Sequence, residues 1–194
     1  YTSQLKHSLA AGAAVLVLGT AGLGAAAPAD EGSVQIPNPI VSYGTYESAA
    51  KVLGFAPLTL SRDSGYAPDG FSVIGGQLAD LSFVRLGQPD CQVRIRTALK
   101  KDDKNNNISG IYGIKWIKHP INETIVEIAQ VAPHTFAASW ESGKYLFSVQ
   151  GTGMEEAAFR SLLTNSLVED KEHYFISLQK NQEKSGKKTV YSTL

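Results

Sequence analysis

Ser48-Ala-Ala-Lys51 has the S-x-x-K spacing with which exported serine enzymes that react with penicillin set a nucleophile one helix turn from its lysine. The S-D-N and K-T-G elements that complete such sites are absent, so Ser48 and Lys51 read as a solvent-facing turn of helix. Asp103-x-Asn105-x-Asn107 puts oxygen ligands at alternate positions, as calcium loops do. The glycine and the bidentate glutamate that should follow are missing, and Lys100, Lys101 and Lys104 would repel a cation, which leaves a solvated loop. His119 and His134 adjoin Pro120 and Pro133 and read as turn histidines, with no third zinc ligand, H-E-x-x-H or cysteine pair beside them. Cys91 is the single cysteine, so an internal disulfide is excluded; it alternates with Val93 and Ile95 and reads as a small core hydrophobe. No nucleophile elbow, phosphate loop or dinucleotide fingerprint occurs. Catalytic, metal-binding and cofactor-binding residues are therefore assigned to none of these positions. That leaves Trp116, Trp140, Tyr145 and Phe147. Aromatics at strand spacing are ordinarily core, but on a sheet curved around a helix these four form a candidate apolar ligand groove.

The elements that must position them follow from periodicity. Residues 45–54 predict a short helix: Thr45 as N-cap, Glu47 in the first turn, Gly54 as stop, and Ala49, Ala50, Val52 and Leu53 as the apolar face. Residues 61–70 are dense in Ser, Asp, Gly and Pro and read as turns. From Phe71 the period is two. Strands are expected over 71–74, 78–86, 91–100, 111–118, 124–131, 135–140 and 145–149, with Gly75-Gly76 and 87–90 as hairpin turns. The expected core is Leu81, Phe83, Val93, Ile95, Phe136, Trp140 and Phe147. Thr152-Gly-Met-Glu155 has the form of a capping box ahead of a helix that carries Phe159, Leu162, Leu163 and Leu167. Together these predict an α+β domain: an antiparallel sheet of about seven strands, with one helix before it and one after, both packed on one face.

Residues 8–29, SLAAGAAVLVLGTAGLGAAAPA, are an apolar and small-residue run behind a lead containing Lys6 and His7. This is the layout of an export signal, with Ala27-Pro28-Ala29 as the cleavage site and Asp30 as the new start, or of a membrane anchor if uncut. The chain opens at Tyr1 rather than Met, and what precedes it would decide between the two. The expected organisation is 1–29 signal or anchor, 30–44 linker, 45–167 extracytoplasmic domain and 168–194 polar tail. About 165 residues remain beyond the apolar run, which suits one domain. Lys and Arg total 18 against 18 Asp and Glu, and they are scattered, which argues against a nucleic-acid binder.

Several segments carry a resemblance: NPIVSYGTYESAAKVLGF (38–55), Gly65-Tyr66, VIGGQLADLSF (73–83), RIRTALK (94–100), ISGIYG (108–113), AASWESGKYLFSV (137–149) and the helix over 155–167. In this order they resemble a family of exported or membrane-anchored domains of unknown function from Gram-positive bacteria. Those domains are similar to the extracytoplasmic parts of anti-sigma factors and sporulation-related membrane proteins. The chain departs where relatives have a proline before the Gly-Tyr turn and an aspartate before Ile-Ser-Gly; here Asp63-Ser64 and Asn107 stand. On this bacterial reading the sequons at Asn107 and Asn122 are coincidental. The resemblance brings no catalytic residue with it. It implies a non-enzymatic extracytoplasmic binding or sensor domain, part of a membrane-anchored regulator, whose partner is a protein or cell-envelope component. Membrane contact would come through the N-terminal segment if uncleaved. The alternative is a secreted domain binding a small apolar or peptide ligand; an exported hydrolase is the least supported reading.

Overall fold

Alternating apolar and polar residues become strands of one antiparallel sheet in the computed structural model, which describes residues 39–102 and 106–168. These fall within the unit Pro37–Leu194; the chain's other unit, Tyr1–Ile36, lies outside the described residues. The order along the chain is β1 (Ile40–Tyr43), α1 (Tyr46–Leu53), β2 (Tyr66–Ile74), β3 (Leu78–Arg85), β4 (Gln88–Leu99), β5 (Ile117–Ile121), β6 (Thr124–Ala132), β7 (Thr135–Ser142), β8 (Tyr145–Thr152) and α2 (Glu156–Leu162). In space the order is β1-β2-β3-β4-β8-β7-β6-β5, so two four-stranded meanders meet along β4 and β8. Register between them runs from Gln92 opposite Thr152 to Leu99 opposite Tyr145.

Helix α1 forms for the reasons its sequence gives. Thr45 Oγ1 accepts the Ser48 amide at 3.2 Å, and Gly54 closes the helix at φ +74, a conformation in which glycine has no Cβ to strain. Residues 55–60 then lie in the core through Phe55, Ala56, Leu58 and Leu60. They are held by two hydrogen bonds: Leu58 N–H donates to Thr97 Oγ1, and Tyr46 O–H donates to the Pro57 carbonyl. One continuous core cluster joins Tyr46 and Leu60 to Leu81, Phe83, Val93, Ile95, Phe136, Trp140, Phe147 and Phe159. All seven residues expected in the core are buried. Tyr46 meets Phe71 edge-on, and Phe159 stacks on Phe136.

Four expectations are corrected. The sheet has eight strands rather than seven, because Ile40–Tyr43, inside the segment read as linker, pairs with Phe71–Ile74 as an edge strand. Strand β5 is Ile117–Ile121, not 111–118. The turn after it is the two-residue Asn122-Glu123, both at positive φ, so His119 and Pro120 lie within the strand rather than in the turn. Pro120 is tolerated there because β5 is an edge strand with one side unpaired. The capping box does not form: Thr152 ends β8, Glu155 takes the N-cap position without a side-chain cap, and its carboxylate pairs with His134 Nδ1 at 2.8 Å. Val168, placed in the polar tail by sequence, is buried, and its carbonyl accepts Asn122 Nδ2. Residues 1–29, 30–38, the Asp103 and Asn105 of the oxygen-rich loop, and 169–194 lie outside the described residues. Among the described residues no helix is long and apolar enough to cross a membrane.

Candidate functional site

The topology forces one long connection. After Leu99 the chain leaves the middle of the sheet and must pass β8, β7 and β6 to begin β5 at the far edge. The face opposite the core cluster is where it crosses. That face carries one polar row across all eight strands, fixed by register: Ser42, Ser72, Asp80, Arg96, Ser148, Ser139, Glu127 and Lys118. Arg96 is the member that reaches the crossing chain. Its Nη1 donates to the carbonyls of Ile108 at 3.2 Å and Ser109 at 3.0 Å, while Nη2 lies 3.4 Å from Asp80 Oδ2. Asp80 also lies 3.3 Å from Arg94 Nε, a contact that is electrostatic rather than a directed hydrogen bond.

Residues 107–111 form a self-bonded turn. The Ser109 amide and hydroxyl both donate to Asn107 Oδ1, Asn107 Nδ2 donates to the Ile111 carbonyl, and Ile111 N–H donates to Ser109 Oγ. Gly110 sits at φ +71, where an added Cβ would lie 3.2 Å from the Arg96 guanidinium. The ISGIYG segment is thus a strap: its own side chains hold its shape, and one arginine fixes it to the sheet.

A chamber lies on each side of the strap. The larger, of about 790 Å³, stands on Ile74, Leu78, Ala98 and Leu146, with Ile108 on the strap side and Leu53 at its end. The four floor residues occupy one cross-strand row: Ile74 is opposite Leu78, Ala98 opposite Leu146, and Leu78 comes beside Ala98 one step beyond the Ala79–Thr97 pair. The second chamber, of about 740 Å³, continues that row past Leu146 to Glu141 and Ile125, and is also lined by Trp116, Glu123, Glu127 and Lys118. Asn106, Asn107 and Leu146 belong to both linings. Asn106 Oδ1 is buried and has no hydrogen-bond partner among the described residues.

The four aromatics named from sequence are not brought into one groove. Tyr145 and Phe147 are 2% exposed and belong to the core, where the Phe147 ring stacks on Trp140 at 5.3 Å. Trp140 is 6% exposed, and its position also contributes to the second chamber. Trp116, half-buried at the end of the crossing segment, lines that chamber too. The residues that sequence reasoning passed over are Ile74, Leu78, Ala98, Leu146, Arg96 and Asn106. A signal for some of them was present: Ala98 and Leu99 break the clean polar alternation of β4 at its end.

The other chemistry-bearing residues are placed as follows. Ser48 Oγ bonds Thr45 Oγ1 at 2.8 Å on the exposed side of α1, and Lys51 is exposed beside it. His119 Nε2 lies 3.2 Å from Arg160 Nη2, so it ties β5 to α2. Asn122 Nδ2 bonds the carbonyls of Thr164 and Val168, and Asn107 is spent within the strap turn, so both sequon amides are engaged. Cys91 is buried, with the Tyr66 hydroxyl 3.6 Å from its Sγ. Burial first, and then the thiol, push the Tyr66 hydroxyl up to about 12. Among the described residues no group of three His, Cys, Asp or Glu is placed to hold a metal ion.

No family model, no curated protein and no solved structure matches this chain.

Proposed function

We propose that the protein is a non-enzymatic extracytoplasmic binding domain whose ligand occupies the apolar chamber beside the strap, as the receiving end of an exported or membrane-anchored protein. The single observation that carries this reading is the floor of that chamber. Ile74, Leu78, Ala98 and Leu146 point to the face away from the core, where an antiparallel sheet facing water is normally polar. With a volume of about 790 Å³ the chamber is in the range of small-molecule sites. Both helices are read as closing the opposite face, and among the described residues the strap is what crosses this one. Between the two binding readings, a concave, mostly apolar chamber favours a small apolar ligand over a broad protein surface. The export-type run at 8–29 and the resemblance to exported Gram-positive domains support the compartment.

Decan-1-ol, a short chain without charge, tests the chamber. Calorimetric titration of the full chain should show saturable binding that is lost in Leu78→Trp, where the indole fills the floor; a thermal melt checks that this variant folds. Absence of binding, or equal binding by Leu78→Trp, overturns the reading. For the compartment, the chain expressed in a Gram-positive host should be recovered either outside the cell beginning at Asp30 or whole in the membrane fraction. Recovery whole from the cytoplasm overturns the extracytoplasmic assignment.

A further inference from the structure

We infer that the ligand of the apolar chamber is a single-chain amphipath with a carboxylate head, its tail on the floor and its head held by the charge of Arg96 and Lys101. This rests on the reading of that chamber as a ligand site and adds the charge of the head. The lining carries two cations, Arg96 and Lys101, and no carboxylate. Its other polar side chains, Gln77, Asn106 and Asn107, are uncharged amides. The chamber is therefore apolar in its floor and positive in its charge.

Among the described residues neither cation is fully offset by its surroundings. Asp80 is the carboxylate on Arg96, and it is shared with Arg94, so two guanidinium groups face one carboxylate. The Arg96 side chain is only 19% exposed. Its Nη1 and Nη2 are engaged, but its buried Nε has no hydrogen-bond partner among the described residues. A charge so far removed from water acts through a lower effective dielectric than a surface lysine and attracts an anion more strongly. Lys101 is exposed and, among the described residues, in no ion pair. Its flexible stem lets the ammonium follow a head group. Asp102 comes next in the chain but is not in the lining, and Glu141 is taken by Lys100 and lines the second chamber. Asn106 Oδ1 is a buried acceptor without a donor, and half a turn of that amide presents Nδ2 instead, so it accepts a head of either sign. A neutral ligand filling the chamber would cover the two charges without a counter-charge, and a cationic head would add a third positive group. A carboxylate offsets what Asp80 leaves.

The test uses three probes with one tail. Decanoate, decylammonium and decan-1-ol are titrated calorimetrically into the full chain at neutral pH and low ionic strength, below any micelle formation. Decan-1-ol reports the tail alone, while the two ions carry equal and opposite charge. Decanoate should bind about tenfold more tightly than decylammonium, and added salt should narrow the gap. Lys101→Gln should lower the ratio of the two affinities about threefold, Lys101→Glu should lower it further, and Lys101→Arg should hold it. Thermal melts check that these variants fold; Arg96 is kept because it also anchors the strap. If decan-1-ol binds and is blocked by Leu78→Trp, but decylammonium binds as well as decanoate, the head assignment falls and the apolar chamber stands. The head assignment also falls if the ratio is unchanged in Lys101→Glu, or if Leu78→Trp leaves decanoate binding intact. If none of the three probes binds, both readings fall together.

Discussion

On one face of the sheet Phe83, Val93, Ile95, Phe147 and Val149 pack under Tyr46, Leu60, Phe159 and Leu163, with hardly any exposure. On the other, the same strands present Ser42, Ser72, Asp80, Arg96, Ser148, Ser139, Glu127 and Lys118 in one row, with an apolar row beside it. The first face is filled by side chains; the second is spanned by a strap that leaves two chambers. The difference teaches where stability and binding can be separated. Filling the core face removes apolar surface from water and supplies most of the folding free energy. The strap face keeps an apolar row in which Ala98 and Leu146 are buried and Ile74 and Leu78 half-buried, and on the proposed reading this row is the floor that a ligand meets.

Substitutions on the two faces should therefore differ in kind. The largest expected effect is Trp140→Ala, which empties a packed core position stacked on Phe147 and should cost about 3–5 kcal/mol in denaturant titration. A loss under about 1 kcal/mol would mean that the ring is not packed as described and that the contrast between faces is weaker than drawn. Next is Arg96→Met. It removes two hydrogen bonds from a charged donor to the strap and leaves Asp80 with Arg94 alone, at a cost of about 1.5–3 kcal/mol. Its distinguishing readout is local: amide exchange over 106–111 should accelerate well beyond that of β3 and β4. Equal acceleration everywhere would show that Arg96 supports the sheet rather than the strap.

Two glycines sharpen the comparison at smaller scale. A Cβ on Gly151, in β8 on the core face, would lie 2.7 Å from both Met154 Sδ and the Phe159 ring, so Gly151→Ala should cost about 1–3 kcal/mol through overpacking. A Cβ on Gly70, in β2 on the strap face, meets the Ser82 hydroxyl at 3.0 Å, a group free to rotate, and Gly70→Ala should stay within about 0.5 kcal/mol. Thermal melts of the pair check this. A Gly70→Ala variant as unstable as Gly151→Ala would place a rigid contact on the strap face.

The core face was legible in the sequence because each strand declares it alone. Alternation in 78–86 and 91–100 names Leu81, Phe83, Val93 and Ile95 without reference to any partner strand. Helix α1 was legible for the same reason, since Thr45 and Gly54 act on their own neighbours. The strap face was not. Leu78 and Ala98 come from the β3–β4 hairpin and Leu146 from β8, far along the chain, and only pairing in register makes them one floor. The strap itself defeats periodicity: 107–111 is held by side-chain hydrogen bonds from Asn107 and Ser109, while Tyr112, Ile114 and Trp116 alternate with Gly113 and Lys115 and imitate a strand. The capping box failed because a cap motif also fits the end of a strand, and β8 extends through Thr152.

An effect confined to high pH lies where the core face ends, at Tyr66 over Cys91. The Tyr66 hydroxyl is 3.6 Å from Cys91 Sγ; burial, and then that thiol, raise it from 10.0 to about 12, with Arg85 acting in the opposite direction. A tyrosine whose folded value is raised is favoured in its neutral form by the fold. Its contribution to stability is therefore complete below pH 10, where the unfolded chain is also neutral, and is lost as pH rises from 10 toward 12. Tyr66→Phe carries no ionisable group at this position. Denaturation midpoints of the two proteins should thus run parallel up to about pH 10. Above that, the midpoint of the unsubstituted chain should fall faster. Lysines and the other tyrosines titrate in both chains, so the difference between the curves belongs to Tyr66. Curves that stay parallel to pH 12 would mean that the phenol is solvated rather than closed against Cys91, and the packed face would then stop short of the first residue of β2.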